Sequence, residues 1–193
     1  MPAEEKYKAI VIGASAGGLA ALFVLLSDLP ENYSLPIIIV QHRYKDQKNL
    51  LEEVLQNRCK VQIRQVEEKE KIENGVVYIA PPDYHLFIEQ DHTFSLSSDP
   101  VVSYSRPSID VLFESAAEVY GKSLVGIVLT GANKDGAAGL KLIKKCGGLT
   151  IAQSPAEAEY PYMPQAAVDA GAARLVLTLS EIKSDILELF FQR

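Results

Sequence analysis

Cysteine and histidine are scarce in this chain: of 193 residues two are cysteine, Cys59 and Cys146, and three are histidine, His42, His85 and His92. None falls at metal-ligand spacing, which argues against a structural zinc site. Basic residues are outnumbered, with 19 Lys and Arg against 25 Asp and Glu and a formal net charge of -6. A general nucleic-acid binder is normally basic, so that class is set aside. No apolar run approaches the ~20 residues needed to cross a bilayer, and no membrane insertion is expected. Residues 1–8 are polar and charged and lack the apolar centre of a secretion signal. These absences leave a cytoplasmic enzyme or binding domain. Hydrophobic residues make up 48% and charged residues 23%, the composition of a soluble globular protein. The length suits one domain, 1–193, with a sizeable core.

What is present is an alternation of short apolar runs and helical patterns. Residues 9–12 are a buried strand, and 19–26 a helix of strong formers. Between them lies a turn, residues 13–18, in which Gly13, Gly17 and Gly18 surround Ser15 in a G-x-S-x-G frame. A second buried strand spans 36–40, followed by Gln41-His42-Arg43 and an amphipathic helix over 48–56. Strands are expected at 61–66 and 76–80, and a hairpin at 85–89 and 93–97. The hairpin breaks the alternation, which puts it at an edge of the sheet. Ser108 is placed to cap a helix over 109–120. A strand at 124–129, a turn at 130–136 and a helix at 137–145 follow, with Gly147-Gly148 ending that helix. A strand at 149–153, a helix at 163–170, a strand at 174–178 and a helix at 181–191 complete the chain. The fold class is therefore α/β, a doubly wound and mostly parallel sheet in a three-layer α/β/α arrangement with an antiparallel hairpin.

Ligands of such sheets bind at the carboxyl ends of the strands. Ser15, His42 and Asp135 all leave strands at that edge, and they are the residue types that nucleophilic acyl transfer needs. Each also has an ordinary structural explanation: a small turn residue, a loop histidine, a helix N-cap. Their convergence at one edge favours a triad. A dinucleotide site is the weaker alternative. Ser15 stands where the fingerprint has its second glycine, and the second strand ends in Gln41-His42-Arg43 instead of a ribose-binding carboxylate.

With these residues assembled, the chain resembles the catalytic domain of CheB-type chemotaxis protein-glutamate methylesterases, essentially from Ile10 to the C-terminus. The motifs are I-G-A-S-A-G-G at 12–18, Q-H at 41–42, A-P-P-D-Y-H-L at 80–86, R-P-S-I-D-V-L-F at 106–113, L-T-G-A-N-K-D-G-A-A-G at 129–139 and M-P at 163–164. The resemblance implies hydrolysis of glutamate γ-methyl esters on the cytoplasmic helices of chemoreceptors, with related deamidation of selected glutamines. Carried over residue by residue, it implies Ser15 as nucleophile, His42 as general base and Asp135 as the orienting acid, with no metal or organic cofactor. Backbone N–H groups at Ala16, Gly17 and Ala132 are the oxyanion candidates, and Arg106 a candidate to hold an acidic receptor segment. A homologue that binds a receptor or signalling partner without turnover is the alternative. Ala132 and Asn133 stand where the family turn, T-G-M-G-x-D-G, has Met and Gly, and Ala16 where Thr is common. Family members usually carry an N-terminal receiver domain. None is expected within 1–193, so a receiver domain on another chain, or removed from the front of this one, counts among the expected partners.

Overall fold

A computed structural model describes residues 6–43 and 50–191. The elements in chain order are β1 (Ala9–Ala14), α1 (Gly18–Leu26), β2 (Ile37–Gln41), α2 (Leu50–Gln56), β3 (Gln62–Gln65), β4 (Val76–Ile79), β5 (His85–Ile88) and β6 (Phe94–Ser97). They continue with α3 (Ile109–Tyr120), β7 (Leu124–Val128), α4 (Ala137–Lys145), β8 (Leu149–Gln153), α5 (Tyr162–Asp169), β9 (Leu175–Leu177) and α6 (Leu179–Phe191). The first two residues of the helix expected over 48–56 lie outside the described residues.

Seven strands form one sheet in the order β3-β4-β2-β1-β7-β8-β9, and every pairing within it is parallel. β1 is central because its six residues are all buried, which only a strand covered on both faces can tolerate. Alternate β1 side chains feed two cores: Ala9 and Val11 join the α3, α4 and α5 side, and Ile10 and Ile12 the α1 and α6 side. The chain winds outward from β1 through β2 and then crosses to β7. The β1–β7 boundary is thus the switch point, where loops from adjacent strands diverge and leave a crevice.

β1 runs two residues longer than its apolar run suggests, because Gly13 and Ala14 pair with Val40 and Gln41. The hairpin forms its own two-stranded sheet instead of extending the edge of the large one. Leu86, Ile88 and Phe94 bury themselves in the core shared with α3, and Ser115 of α3 accepts the Ile88 N–H at 3.1 Å. The outer edge of β6 bonds to the β3–β4 connection, through Lys69 N–H to Phe94 O and Phe94 N–H to Glu70 O, both at 2.9 Å. A chain segment and a helix therefore take the groups that an edge strand would have used.

α3 and α4 cross closely at Gly139. A Cβ there would lie 2.5 Å from the Phe113 Cβ and 3.0 Å from the Asp110 carbonyl oxygen. Gly139→Ala would gain ~1 kcal/mol of helix propensity, but neither obstructing atom can turn aside. The substitution should cost about 1–3 kcal/mol net, read as a lower urea midpoint at unchanged slope. A midpoint at or above that of the parent would refute the tight crossing.

Candidate active site

The first strand ends in a sharp turn held from two sides. Ser15 N–H donates to Thr130 O at 3.0 Å, and Ser15 O accepts from Gly18 N–H at 2.8 Å and from Gln41 Nε2 at 2.9 Å. Gly17 has φ of 76°, the left-handed conformation glycine adopts without penalty. Gly131 presses against the serine, since a Cβ on it would lie 2.9 Å from Ser15 Cβ and 2.6 Å from Met163 Sδ. Gln41 is the pinning residue that the Q-H motif contained without revealing its task.

His42 follows β2 directly. Its ring places Nδ1 3.2 Å from Ser15 Oγ and Nε2 2.8 Å from Asp135 Oδ2. The structure thus brings Ser15, His42 and Asp135 into one hydrogen-bonded row, with Asp135 fully buried and His42 reaching the surface. Burial opposes the Asp135 charge, but hydrogen bonds from His42 and from the backbone N–H of Asp110 and Ile109 outweigh it and hold its carboxyl below the usual range. An ionised Asp135 is an acceptor only, so His42 carries its proton on Nε2 and presents the Nδ1 lone pair to Ser15.

Asp135 does not cap the helix that follows it. Gly136, at φ of 93°, is the α4 N-cap, and the carboxylate turns to α3 instead. Oδ2 accepts Ile109 N–H at 2.7 Å, and Oδ1 accepts Asp110 N–H at 3.0 Å and the Ser108 hydroxyl at 2.9 Å. Ser108 occupies the α3 N-cap position without a side-chain bond to its own helix. Asp135 therefore supplies the acceptors that the first turn of α3 lacks, and the helix dipole in turn favours its charge. Ser108 N–H donates to Nδ1 of the buried His85, whose Nε2 faces Pro100 O. His85 and His92 belong to the hairpin region, and among the described residues neither hydrogen-bonds directly to Ser15, His42 or Asp135.

A cleft of about 590 Å³ opens over the row, lined by Ser15, Ala16, His42, Ser105, Ala132 and Asn133 among others. A larger hollow, about 690 Å³, lies at the opposite, amino-terminal edge of the strands around Glu31, Lys60 and Gly75 and holds none of these residues. The backbone N–H groups of Ala16, Gly17 and Ala132 donate no bond within the described residues, so donors stand ready on both sides of Ser15. Arg106 lines the cleft, but its head is committed elsewhere. Nε and Nη2 donate to Asp83 Oδ1 at 3.1 and 2.6 Å, and Nη1 donates to the carbonyls of Ser98 and Asp99 at 2.7 and 2.9 Å. Its charge ties the loop to Asp83. Beside His42, Arg43 is held by Glu52 through two bonds at 3.1 and 2.7 Å.

Ser105 is a site residue that sequence reasoning missed. It enters the cleft through a two-residue turn in which Ser103 and Tyr104 have φ of 51° and 63°, closed by reciprocal Val102–Ser105 backbone bonds at 3.1 and 2.9 Å. The turn points Tyr104 fully outward. Among the described residues no cluster of His, Cys, Asp or Glu could hold a metal ion, and no helix is long and apolar enough to cross a membrane.

A doubly wound α/β domain with a Ser–His–Asp row at its switch point defines the class as an α/β serine hydrolase. A family model described as CheB methylesterase matches residues 10–186, and the chain belongs to that family. A putative protein-glutamate methylesterase/protein-glutamine glutaminase of Leptospira interrogans is 49% identical over 183 residues, covering 95% of each chain. Protein-glutamate methylesterase/protein-glutamine glutaminase 1 of Pseudomonas fluorescens is 39% identical over 94% of this chain, which spans only 54% of that relative. The crystal structure of the Thermotoga maritima CheB methylesterase catalytic domain superposes with a TM-score of 0.90 at 32% identity, covering 95% of this chain and 98% of that one.

Proposed function

We propose that this chain hydrolyses glutamate γ-methyl esters on the cytoplasmic helices of chemoreceptors and deamidates selected glutamines there. The observation that carries the reading is the row from Ser15 Oγ through His42 to the buried Asp135, at 3.2 and 2.8 Å, opening into a cleft. Ser15 Oγ attacks the ester carbonyl as His42 Nδ1 takes the hydroxyl proton. Asp135 fixes the ring and stabilises the imidazolium. The oxyanion is received by N–H groups from Ala16, Gly17 and Ala132, each such donor being worth ~10²-fold or more in rate. His42 then returns the proton to the departing methoxide, and methanol leaves an acyl-Ser15 ester. Water activated by the same Nδ1 releases the glutamate.

The test is methanol release from methylated receptor membranes, paired with labelling by an alkyl fluorophosphonate and peptide mass mapping. Turnover is expected, with the label on the peptide that contains Ser15. Absence of both, with receptor binding intact, would replace the esterase by a binding module.

A further inference from the structure

Exposed aromatic side chains gather at one edge of this molecule. Among the described residues four large aromatics are exposed: Tyr84, Tyr104, Tyr160 and Tyr162. Apolar groups scattered singly over a surface are ordinary, and a gathering of them is not. Tyr84 follows β4, Tyr160 and Tyr162 follow β8, and Tyr104 precedes α3, whose first turn meets Asp135. All four positions belong to the edge of the sheet that carries Ser15.

Tyr104 is the extreme case. It is 98% exposed, yet it borders the cleft over the Ser15–His42–Asp135 row. Ser103 and Tyr104 have φ of 51° and 63°. Two-residue turns of this hand favour Asn-Gly, and a bulky residue in that conformation is an outlier. The base of the loop is fixed. Arg106 ties it to Asp83 and to the carbonyls of Ser98 and Asp99, and Ser105 Oγ approaches His42 Nδ1 at 3.5 Å. The loop therefore holds out, at a cost in backbone strain, a ring that buries nothing. β2 and β7 flank β1, so His42 and Gly131 stand on opposite sides of Ser15. Gly131 N–H donates to Tyr160 O at 3.0 Å, and Gly131 O accepts Met163 N–H at 2.9 Å. These bonds set Tyr160 and Tyr162 beside the row on the β7 side.

We propose that Tyr104, with Tyr160 and Tyr162 across the row, forms a docking rim that grips the receptor helix while its methylated glutamate enters the cleft. The proposal deepens the receptor reading and rests on it. An ester small enough to stay in the cleft leaves a ring this exposed in water. Only a substrate that extends beyond the cleft can cover it. Esterification removes the glutamate charge, so the modified helix face meets the rings without stranding a carboxylate. Tyrosine suits the task because it offers a large contact area with only two side-chain torsions to order. The fixed base of the loop lowers the ordering cost further.

The experiment compares two substrates: methylated receptor in membranes, read by methanol release, and p-nitrophenyl acetate, which fits within the cleft. In Tyr104→Gly the ratio of kcat/KM for receptor to that for the small ester should fall about tenfold, the ordinary cost of truncating an aromatic anchor. The loss should appear in KM. Glycine adopts a φ of 63° freely, so the urea midpoint should hold or rise. Tyr104→Phe keeps the ring and the turn, and its ratio should stay within about threefold of the parent. Tyr162→Ala, on the opposite side, should lower the ratio about threefold or more, and it carries the test should the glycine variant fail to fold. An unchanged ratio in both truncations while the parent releases methanol, or equal losses on both substrates, would overturn the rim. A parent that cleaves p-nitrophenyl acetate and releases no methanol would remove the receptor reading, and the rim would fall with it.

Discussion

Ser15→Ala should lower kcat for methanol release by roughly 10⁵-fold or more, the usual loss when a triad nucleophile is removed. KM should change little, because the cleft walls and the amides of Ala16, Gly17 and Ala132 stay in place. The substitution deletes one oxygen and nothing that holds the turn. Ser15 is tied through its backbone to Thr130 O and Gly18 N–H and to Gln41 Nε2, all indifferent to the side chain. Melting should therefore match that of the parent, and fluorophosphonate labelling should vanish. Residual catalysis above that of water would come from binding and the oxyanion donors alone. Activity that survives undiminished would end the nucleophile assignment.

The parts of this site that the sequence displays are those set by strand ends. Ser15, His42 and the turn that holds Asp135 each follow a buried apolar run, and a parallel sheet brings such ends to one edge. The architecture is legible for the same reason: Ile37–Gln41 and Leu124–Val128 are buried throughout and can only lie beside a central strand. Partners settled by packing between distant elements are not legible. Ser108 reads as the cap of its own helix, yet its hydroxyl goes to Asp135, a residue 27 positions later. Asp135 reads as a cap for α4, yet Gly136 takes that place and the carboxylate serves α3. Local capping rules place both residues beside helix starts but do not show the bond between them, because the start of α3 and the turn after β7 meet only in the folded domain. The ion-pair partner of Arg106 is hidden on similar grounds. Asp83 lies 23 residues earlier and is brought close by the hairpin between them. Asn133 is visible as a departure from the family turn, but its bond to His42 depends on how β2 and β7 flank β1.

Asp135→Asn is the second large effect, and it separates catalysis from stability in one variant. All the bonds that Asp135 accepts come from donors: His42 Nε2 and Ile109 N–H at Oδ2, Asp110 N–H and the Ser108 hydroxyl at Oδ1. An asparagine must place its NH2 at one of these ends, where it meets a backbone N–H of α3. Facing Nε2, it would also favour the tautomer with its proton on Nδ1, and Ser15 would lose its base. Turnover should fall about 10⁴-fold, as when a triad carboxylate becomes an amide. The unsatisfied N–H should cost about 1–3 kcal/mol of stability. The pH dependence follows from the sign of each shift. The Asp135 carboxyl is held below the ordinary carboxylate range, so its contribution is full above the unfolded pKa and is lost as pH falls through the folded one. Asp110 behaves oppositely. Burial raises it to about 6, the Gly139 N–H bond works against that rise, and the Asp135 charge adds to it. Its ionisation therefore subtracts stability as pH climbs from the ordinary carboxylate range through about 6, and removing the Asp135 charge relieves part of that penalty. Urea unfolding at neutral pH should accordingly show a clear deficit in Asp135→Asn that narrows in acid, where the parent loses the same carboxylate by protonation. A deficit of constant size across that range would mean that Asp135 is not the ionised anchor of α3, and the orienting role built on its charge would go with it.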